Sequence, residues 1–189
     1  MRKLTVSTLV TLDGVVQDPG GFGETQDGGW AGPYFDDEAG RFALEQVLAS
    51  DVFLLGRETY ALFKQYWTRV HEGDYAARIN SMPKLVASTT LHEPLEWNAT
   101  LIEGDIAEAV AKLKSDDGGD ILMYGSPTLM RTLAAHDLVD EYKLWIHPII
   151  LGGGKRLFAD GFDNSSLELV DVTSLSTGVV ILTYRPARS

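Results

Sequence analysis

Apolar positions along the chain fall into short runs and longer periodic stretches. Leu4–Leu12, Val52–Leu55, Leu85–Ser88, Thr100–Ile102, Ile121–Tyr124 and Glu141–Ile150 have the length and composition of buried strands. Between them, Asp36–Ala49, Glu58–Tyr66, Asp74–Asn80, Ile106–Lys114 and Pro127–Ala135 place apolar residues at helical spacing. Strands alternating with helices predict βα units around a mainly parallel sheet covered on both faces, an α/β/α arrangement of three layers. The C-terminal part breaks this rhythm. Ser166–Thr173 and Gly178–Arg185 are two strands with no helix between them, which predicts an antiparallel hairpin at the sheet's edge.

One segment fits neither period. Gln17–Pro33 holds glycines at 20, 21, 23, 28, 29 and 32 together with Trp30, and Tyr34 and Phe35 follow directly. A loop this long in a compact domain is usually functional, and bare flexibility does not require aromatics; the reading is a mobile lid over residues 17–33. No linker or repeat divides the 189 residues, so a single domain over 1–189 is expected.

Composition narrows the field. A formal charge of −11 argues against nucleic acid as partner, because a phosphate-tracking surface needs a basic face. It also means that an anionic ligand would have to be held by local donors. The chain has no cysteine, hence no disulfide, thiolate metal site or cysteine nucleophile. No run of about 18 apolar residues predicts a membrane span. The opening MRKLTVSTLVTLDG alternates like a strand and is followed by no small-residue cleavage site, so the expectation is a cytoplasmic protein. His71, His92, His136 and His147 lie on separate elements without ligand spacing, and no metal is expected. His147, before Pro148 at a strand end, reads as a packing or lining residue. No GxSxG elbow, GxGxxG fingerprint or Walker sequence occurs.

Four places carry candidate chemistry. In Leu54-Leu55-Gly56-Arg57-Glu58-Thr59-Tyr60 a buried strand ends at a glycine and a helix begins at once. Free N–H groups at such a helix start attract phosphate, and the Arg57 fork suits phosphate oxygens. The same residues also make an ordinary βα turn. Tyr124-Gly125-Ser126-Pro127-Thr128-Leu129 repeats the design, with Pro127 where its missing N–H costs nothing. In a parallel sheet both junctions should face one crevice at the strands' carboxyl ends. Ser88-Thr89-Thr90 ends a third strand that Lys84 starts; these groups suit a ribose or phosphate, or equally a capped turn. Gly152-Gly153-Gly154-Lys155-Arg156 reads as an anion cradle or as a glycine turn beside a strand end. Asp36-Asp37-Glu38 reads first as helix N-terminal charge.

Taken in order, Thr11-Leu12-Asp13-Gly14, Gly56-Arg57-Glu58-Thr59-Tyr60, Tyr124-Gly125-Ser126, Leu138-Val139-Asp140-Glu141, and Pro148 with Leu151-Gly152-Gly153-Gly154 resemble the dihydrofolate-reductase-like superfamily. The resemblance is closest to stand-alone relatives of the reductase domain of the riboflavin-biosynthesis deaminase-reductase. It implies about eight strands, mainly parallel, with a C-terminal antiparallel hairpin. It also implies a homodimer, and NADPH lying across the strand ends for hydride transfer to a small molecule, pterin- or pyrimidine-like. By position, Gly56, Arg57 and Thr59 would hold phosphates and Ser88 and Thr89 the adenosine 2′-phosphate. Gly125, Ser126, Pro127, Thr128 and Leu129 would line the pyrophosphate, and Leu9 and Val16 would flank the nicotinamide. Trp30 and Phe35 would cover the substrate. The apolar stretch Tyr142–Leu151 offers a surface for dimerisation.

The chain departs from that pattern twice. The family's paired glycines stand here as Gly125-Ser126, and the helix position from which folate reductases present a carboxylate falls on Gly40. Asp36 and Asp37, about one turn earlier, are the substitute acid candidates. Folate is therefore not the expected substrate, nor is the phosphorylated riboflavin precursor, whose phosphate has no evident site. A flavin- or nucleotide-binding protein without turnover is the alternative, and an interaction domain with purely structural glycine turns is a third reading.

Overall fold

A computed structural model describes residues 1–159 and 162–187. Eight strands form one sheet in the order β4-β3-β2-β5-β1-β6-β8-β7. They are β1 (Leu4–Thr11), β2 (Ser50–Gly56), β3 (Lys84–Ala87), β4 (Ala99–Leu101), β5 (Asp120–Tyr124), β6 (Glu141–His147), β7 (Leu167–Ser174) and β8 (Val180–Pro186). β1 to β6 are mutually parallel, while β8 runs antiparallel to both β6 and β7. The helices are α1 (Asp37–Leu48), α2 (Arg57–Trp67), α3 (Asp74–Ser81), α4 (Ile106–Ser115) and α5 (Pro127–Ala135). The expected elements are all present, with ends shifted by a residue or two. The one larger shift is β6, which stops at His147 rather than Ile150 because Pro148 has no N–H for a ladder.

Alternation along the strands sorts side chains onto two faces. Leu4, Val6, Leu54, Ile121, Met123 and Leu144 pack under Val110 of α4 and Leu129, Met130 and Leu133 of α5. Phe53, Leu55, Leu122 and Val86 pack on the other face against Val47 of α1, Tyr60 of α2 and Ile79 of α3. Each such fully buried side chain contributes about 1.5–3 kcal/mol over leaving it in water. Neighbours Leu54 and Leu55 thus serve opposite layers, which is why β2 reads as a continuous apolar run. At the sheet's foot, the Asp140 carboxylate accepts from Leu4 N (2.7 Å) and Lys114 Nζ (2.5 Å), fastening β1, α4 and the start of β6.

This topology positions a crevice. β5 lies between β1 and β2, and helix α2 leaves β2 on one face while α5 leaves β5 on the other. Where neighbouring connections part to opposite faces, the strands' carboxyl ends are left open between them.

Of the stretch Tyr142–Leu151, expected as a dimer surface, the part within β6 is largely covered, while Pro148 and Ile150 are exposed. β6 is covered by β1 and β8, and Tyr142, Leu144, Trp145 and His147 are buried within the subunit. Exposed apolar residues occur at Ile150, past the end of β6, and on the edge strand β7 at Leu169, Val170 and Val172.

Candidate functional site

The crevice opens into a cleft of about 1450 Å³ across the carboxyl ends of the parallel strands. Pockets for a single drug-sized ligand usually span about 300–1,000 Å³. This cleft therefore has room for a large ligand and a small one together.

At its centre the two strand–glycine–helix junctions touch. Ser126 Oγ accepts from Gly56 N (3.1 Å) and shares a hydrogen bond with Thr59 Oγ1 (2.9 Å). A Cβ on Gly56 would lie 2.4 Å from Ser126 Oγ, so glycine is required there by close approach. Gly125 and Ser126 both adopt left-handed backbone, with φ of 58° and 54°. Ser126 thus holds a left-handed backbone that favours glycine, at a cost of about 1–2 kcal/mol. Its hydroxyl bonds across the crevice and leaves the start of α5 uncapped; α2, opening at Gly56, also lacks a side-chain cap. By contrast α1 and α4 are each capped by an aspartate, Asp36 and Asp105. Two helix starts with free N–H groups therefore open into one crevice, and both favour an anion. Gly56 is the exception, since its own N–H is already taken.

Around this point stand Arg57, Glu58, Ser88, Thr89, Pro127, Thr128, Leu129, Lys155 and Arg156. Glu58 bridges Arg57 (3.5 Å) and Lys155 (3.1 Å) on the surface, which holds both cations at the cleft mouth. Ser88 Oγ accepts from Thr90 N (3.1 Å) and Leu91 N (3.0 Å), so it caps a turn while still lining the cleft. Lys84 is not near it. That lysine is buried at the opposite end of β3, donates to Asn80 O and Met82 O, and lies 4.2 Å from the Trp97 ring centroid. Burial pushes its pKa down to about 8.

The glycine triplet does not line the cleft. Asp13 accepts from Leu151 N (3.2 Å) and Gly152 N (2.8 Å), so those donors are spent on fastening the loop to the turn after β1. These bonds and one from Thr11 Oγ1 hold the Asp13 carboxyl down at about 2.

Leu9 and Val16 line the cleft, as does Phe35. Trp30 does not. It is buried, donates from Nε1 to Gln17 O (2.8 Å) and meets the His147 ring edge-on at 5.1 Å. Its role is to pin the loop to the end of β6, which also explains the buried His147, whose pKa burial lowers. The acid candidates lie outside the cleft too. Asp36 accepts from Ala39 N and Ser176 Oγ, bonds that lower its pKa, and Asp37 opens α1 on the exposed side. From α1 itself the residue that reaches the cleft is Ala43.

Side-chain hydrogen bonds organise the loop over residues 17–33. Buried Asp18 accepts from Phe22 N (2.5 Å), Glu24 N (2.9 Å) and Thr25 N (3.1 Å). Phe22 then crosses the cleft mouth to Phe63 and Tyr66 of α2, with ring centroids 5.9 and 5.4 Å away. Glu24, two residues on, faces the cleft with a pKa raised by partial burial and by the Asp18 charge. Sequence reading missed Glu24, Trp145, Tyr75 and Tyr124 as lining residues. The Trp145 position on the alternation of β6 was the available signal, since it shares a face with Ser7 of β1 rather than with Leu144. Among the described residues no group of three metal-ligating side chains occurs, and no helix is long and apolar enough to cross a membrane.

Comparison with known proteins agrees with this layout. The Bacillus subtilis protein YyaP is 34% identical over 97% of this chain and 94% of its own length. A Thermotoga maritima diaminohydroxyphosphoribosylaminopyrimidine deaminase/5-amino-6-(5-phosphoribosylamino)uracil reductase superposes with a TM-score of 0.66 at 16% identity, over 98% of this chain and 57% of that one. An Enterococcus faecalis dihydrofolate reductase complexed with NADP(H) superposes with a TM-score of 0.65 at 14% identity, over 98% and 97% of the two chains. The family model for the RibD C-terminal domain matches residues 2–181, and the chain belongs to that family.

Proposed function

We propose that this protein is an NADPH-dependent reductase that delivers a hydride to a small, flat, pterin- or pyrimidine-like molecule. The observation that carries the reading is the meeting of two uncapped helix starts, α2 and α5, inside a cleft large enough for a dinucleotide and a second ligand. Two relatives of this fold are named for reduction, and one of them was solved with NADP(H).

The residues present fit such a cofactor. The N–H groups at the starts of α2 and α5 would take the phosphates of the pyrophosphate, with Arg57 and Thr59 on one side and Gly125, Ser126, Pro127, Thr128 and Leu129 on the other. Thr89 and the hydroxyl hydrogen of Ser88 would serve the adenosine end. Leu9 and Val16 would flank the nicotinamide. When bound, NADPH supplies the hydride; the protein aligns the ring and excludes water. Closure of the mouth by Phe22 serves that exclusion. The matching proton would come from solvent or from a cleft acid, for which Glu24, its pKa raised by partial burial and by the Asp18 charge, is the candidate. We place the expected homodimer contact on β7 rather than β6.

Titration of the full chain with NADPH and NADH tests the reading. NADPH is expected to bind tighter, and Arg57→Ala to weaken it at least about tenfold, since charge-assisted hydrogen bonds contribute about 1.5–3 kcal/mol each. No binding of either nucleotide at millimolar concentration sinks it. Tight NADPH binding without turnover on any pterin, pyrimidine or flavin would favour the carrier alternative.

A further inference from the structure

Beyond the phosphate-facing centre, the cleft has a wall on the α1 side made by Leu9, Phe35, Ala43, Tyr75 and Trp145. No residue of this wall carries a formal charge at neutral pH, and Tyr75 has its pKa pushed up to about 12 by burial. Trp145 packs in a cluster with Ala39, Ala43, Leu175, Val179 and Ile181. Its ring lies nearly parallel to that of Phe35, with planes 14° apart and centroids 6.5 Å apart. Aromatic pairs pack with centroids about 4.5–7 Å apart, so the two rings lie as an offset pair that opens for a third ring when one of them moves. Phe35 is 45% exposed while Trp145 is 4% exposed. One face is fixed and the other is free to adjust.

What fixes Trp145 is polar. Its Nε1 donates to Ser7 Oγ (3.2 Å), and Ser7 donates to Gln46 Oε1 (3.2 Å). Gln46 is 9% exposed, and its Nε2 has no hydrogen-bond partner. Oxygen and nitrogen of a glutamine amide exchange places by a half-turn. With Nε2 turned to Ser7, the serine accepts from both neighbours and its own hydrogen is released toward the cleft it lines. The orphaned amide thus marks a relay with two settings, one of which offers a donor to a ligand.

We propose that Phe35 and Trp145 form an aromatic slot for the flat ring of the substrate. Ser7 offers that ring a hydrogen bond, and Gln46 acts as a positioning residue for Ser7 and Trp145. The substrate class is a planar heteroaromatic recognised by its faces rather than by a charge, in keeping with Ala43 as the α1 residue facing the cleft. The inference rests on the reductase reading for what becomes of the ring, but not for its binding.

Calorimetric titration of the full chain with lumichrome, a flat neutral ring system, and with 2,4-diaminoquinazoline, a basic one, tests the slot. Lumichrome is expected to bind the tighter of the two. Phe35→Ala, at an exposed position that leaves the core intact, and Trp145→Leu should each weaken lumichrome at least about tenfold, and Trp145→Phe, which keeps an aromatic face, should recover most of it. Gln46→Leu should weaken lumichrome in the wild-type chain and have less effect beside Trp145→Phe, where no indole N–H remains to be held. NADPH affinity should stay unchanged in all variants. Unaltered lumichrome affinity in Phe35→Ala, or tighter binding of the basic ring, overturns the slot. Lumichrome binding that follows these expectations in a chain that binds no NADPH overturns the reductase reading and leaves the slot standing.

Discussion

Single residues show how the same letter serves different ends. Ser126 accepts a left-handed backbone because its hydroxyl gains two partners, Gly56 N and Thr59 Oγ1. Adding a methyl at Gly56 would drive into that hydroxyl. Gly56→Ala is expected to destabilise the fold by about 1–3 kcal/mol and to lose NADPH binding, with Ser126→Gly in the double variant restoring part of both. Chemical denaturation and nucleotide titration of the three variants check this; equal effects with and without Ser126 would contradict it. Lys84 gives a pH prediction. Its folded pKa is about 8 against an ordinary 10.5. Below pH 8 both states hold the proton and the cost of burying the cation is present in full. Between about pH 8 and 10.5 the unfolded chain keeps its proton while the folded one has released it, so stability rises with pH, by at most about 3 kcal/mol. Urea midpoints across that window should climb in the wild type and climb less in Lys84→Met; parallel curves would show that Lys84 contributes nothing to the slope. In sequence, Lys84 was a cation near a hydroxyl cluster. The sequence already set the two at opposite ends of one strand; the structure adds that Lys84 is buried there.

At the scale of elements, the loop 17–33 was legible as special from its glycines and aromatics, but the contacts that shape it, one buried carboxylate and one indole, were not. Asp18 collects three backbone N–H groups and has Gly28 packed directly on it, where a Cβ would lie 2.1 Å from Asp18 Oδ2. Asp18→Ala leaves those donors unpaired, so limited proteolysis with mapped cut sites should show new cleavage within 17–33 and unchanged cleavage elsewhere. An unaltered pattern would mean that Trp30 and Phe22 hold the loop without it. The glycine triplet failed in the opposite sense. Three glycines before two cations suggest an anion site, yet the donors at 151 and 152 are consumed by a carboxylate 138 and 139 residues earlier in the chain. Three of the five family-like motifs prove to be fasteners of this kind, at Asp13, Asp140 and the triplet itself. The other two, at Gly56 and Gly125, line the cleft.

For the whole molecule, charge and surface make separate predictions. A net charge of −11 repels an anionic cofactor at long range, while Arg57 and Lys155 attract it at the mouth. Since the Debye length falls from about 30 Å at 0.01 M salt to about 10 Å at 0.1 M, the distant repulsion is screened before the local contacts are. The association rate of NADPH, followed by stopped-flow fluorescence, should therefore rise over that range; a steep fall would mean that the basic mouth dominates the field. Leu169, Val170 and Val172 are exposed on β7, and the proposed dimer contact is placed there. Light scattering should give a dimer mass for the wild type and a smaller one for Val172→Lys, and a wild-type monomer would end that expectation.

The sequence by itself determined the elements, their order and the antiparallel ending, because apolar period and the Gly and Pro stops act over a few residues. It also located both strand–glycine–helix junctions that meet in the cleft, whose signal, a glycine between a buried strand and a helix, is local. Tertiary structure decided which candidates share one space. Trp30 withdrew into the core, Asp36 and Asp37 stayed at a helix cap, and Trp145, Ser7 and Glu24 came to the cleft. Those outcomes depend on strand order and on side-chain partners far apart in the chain, and a contact between distant residues leaves no period to read.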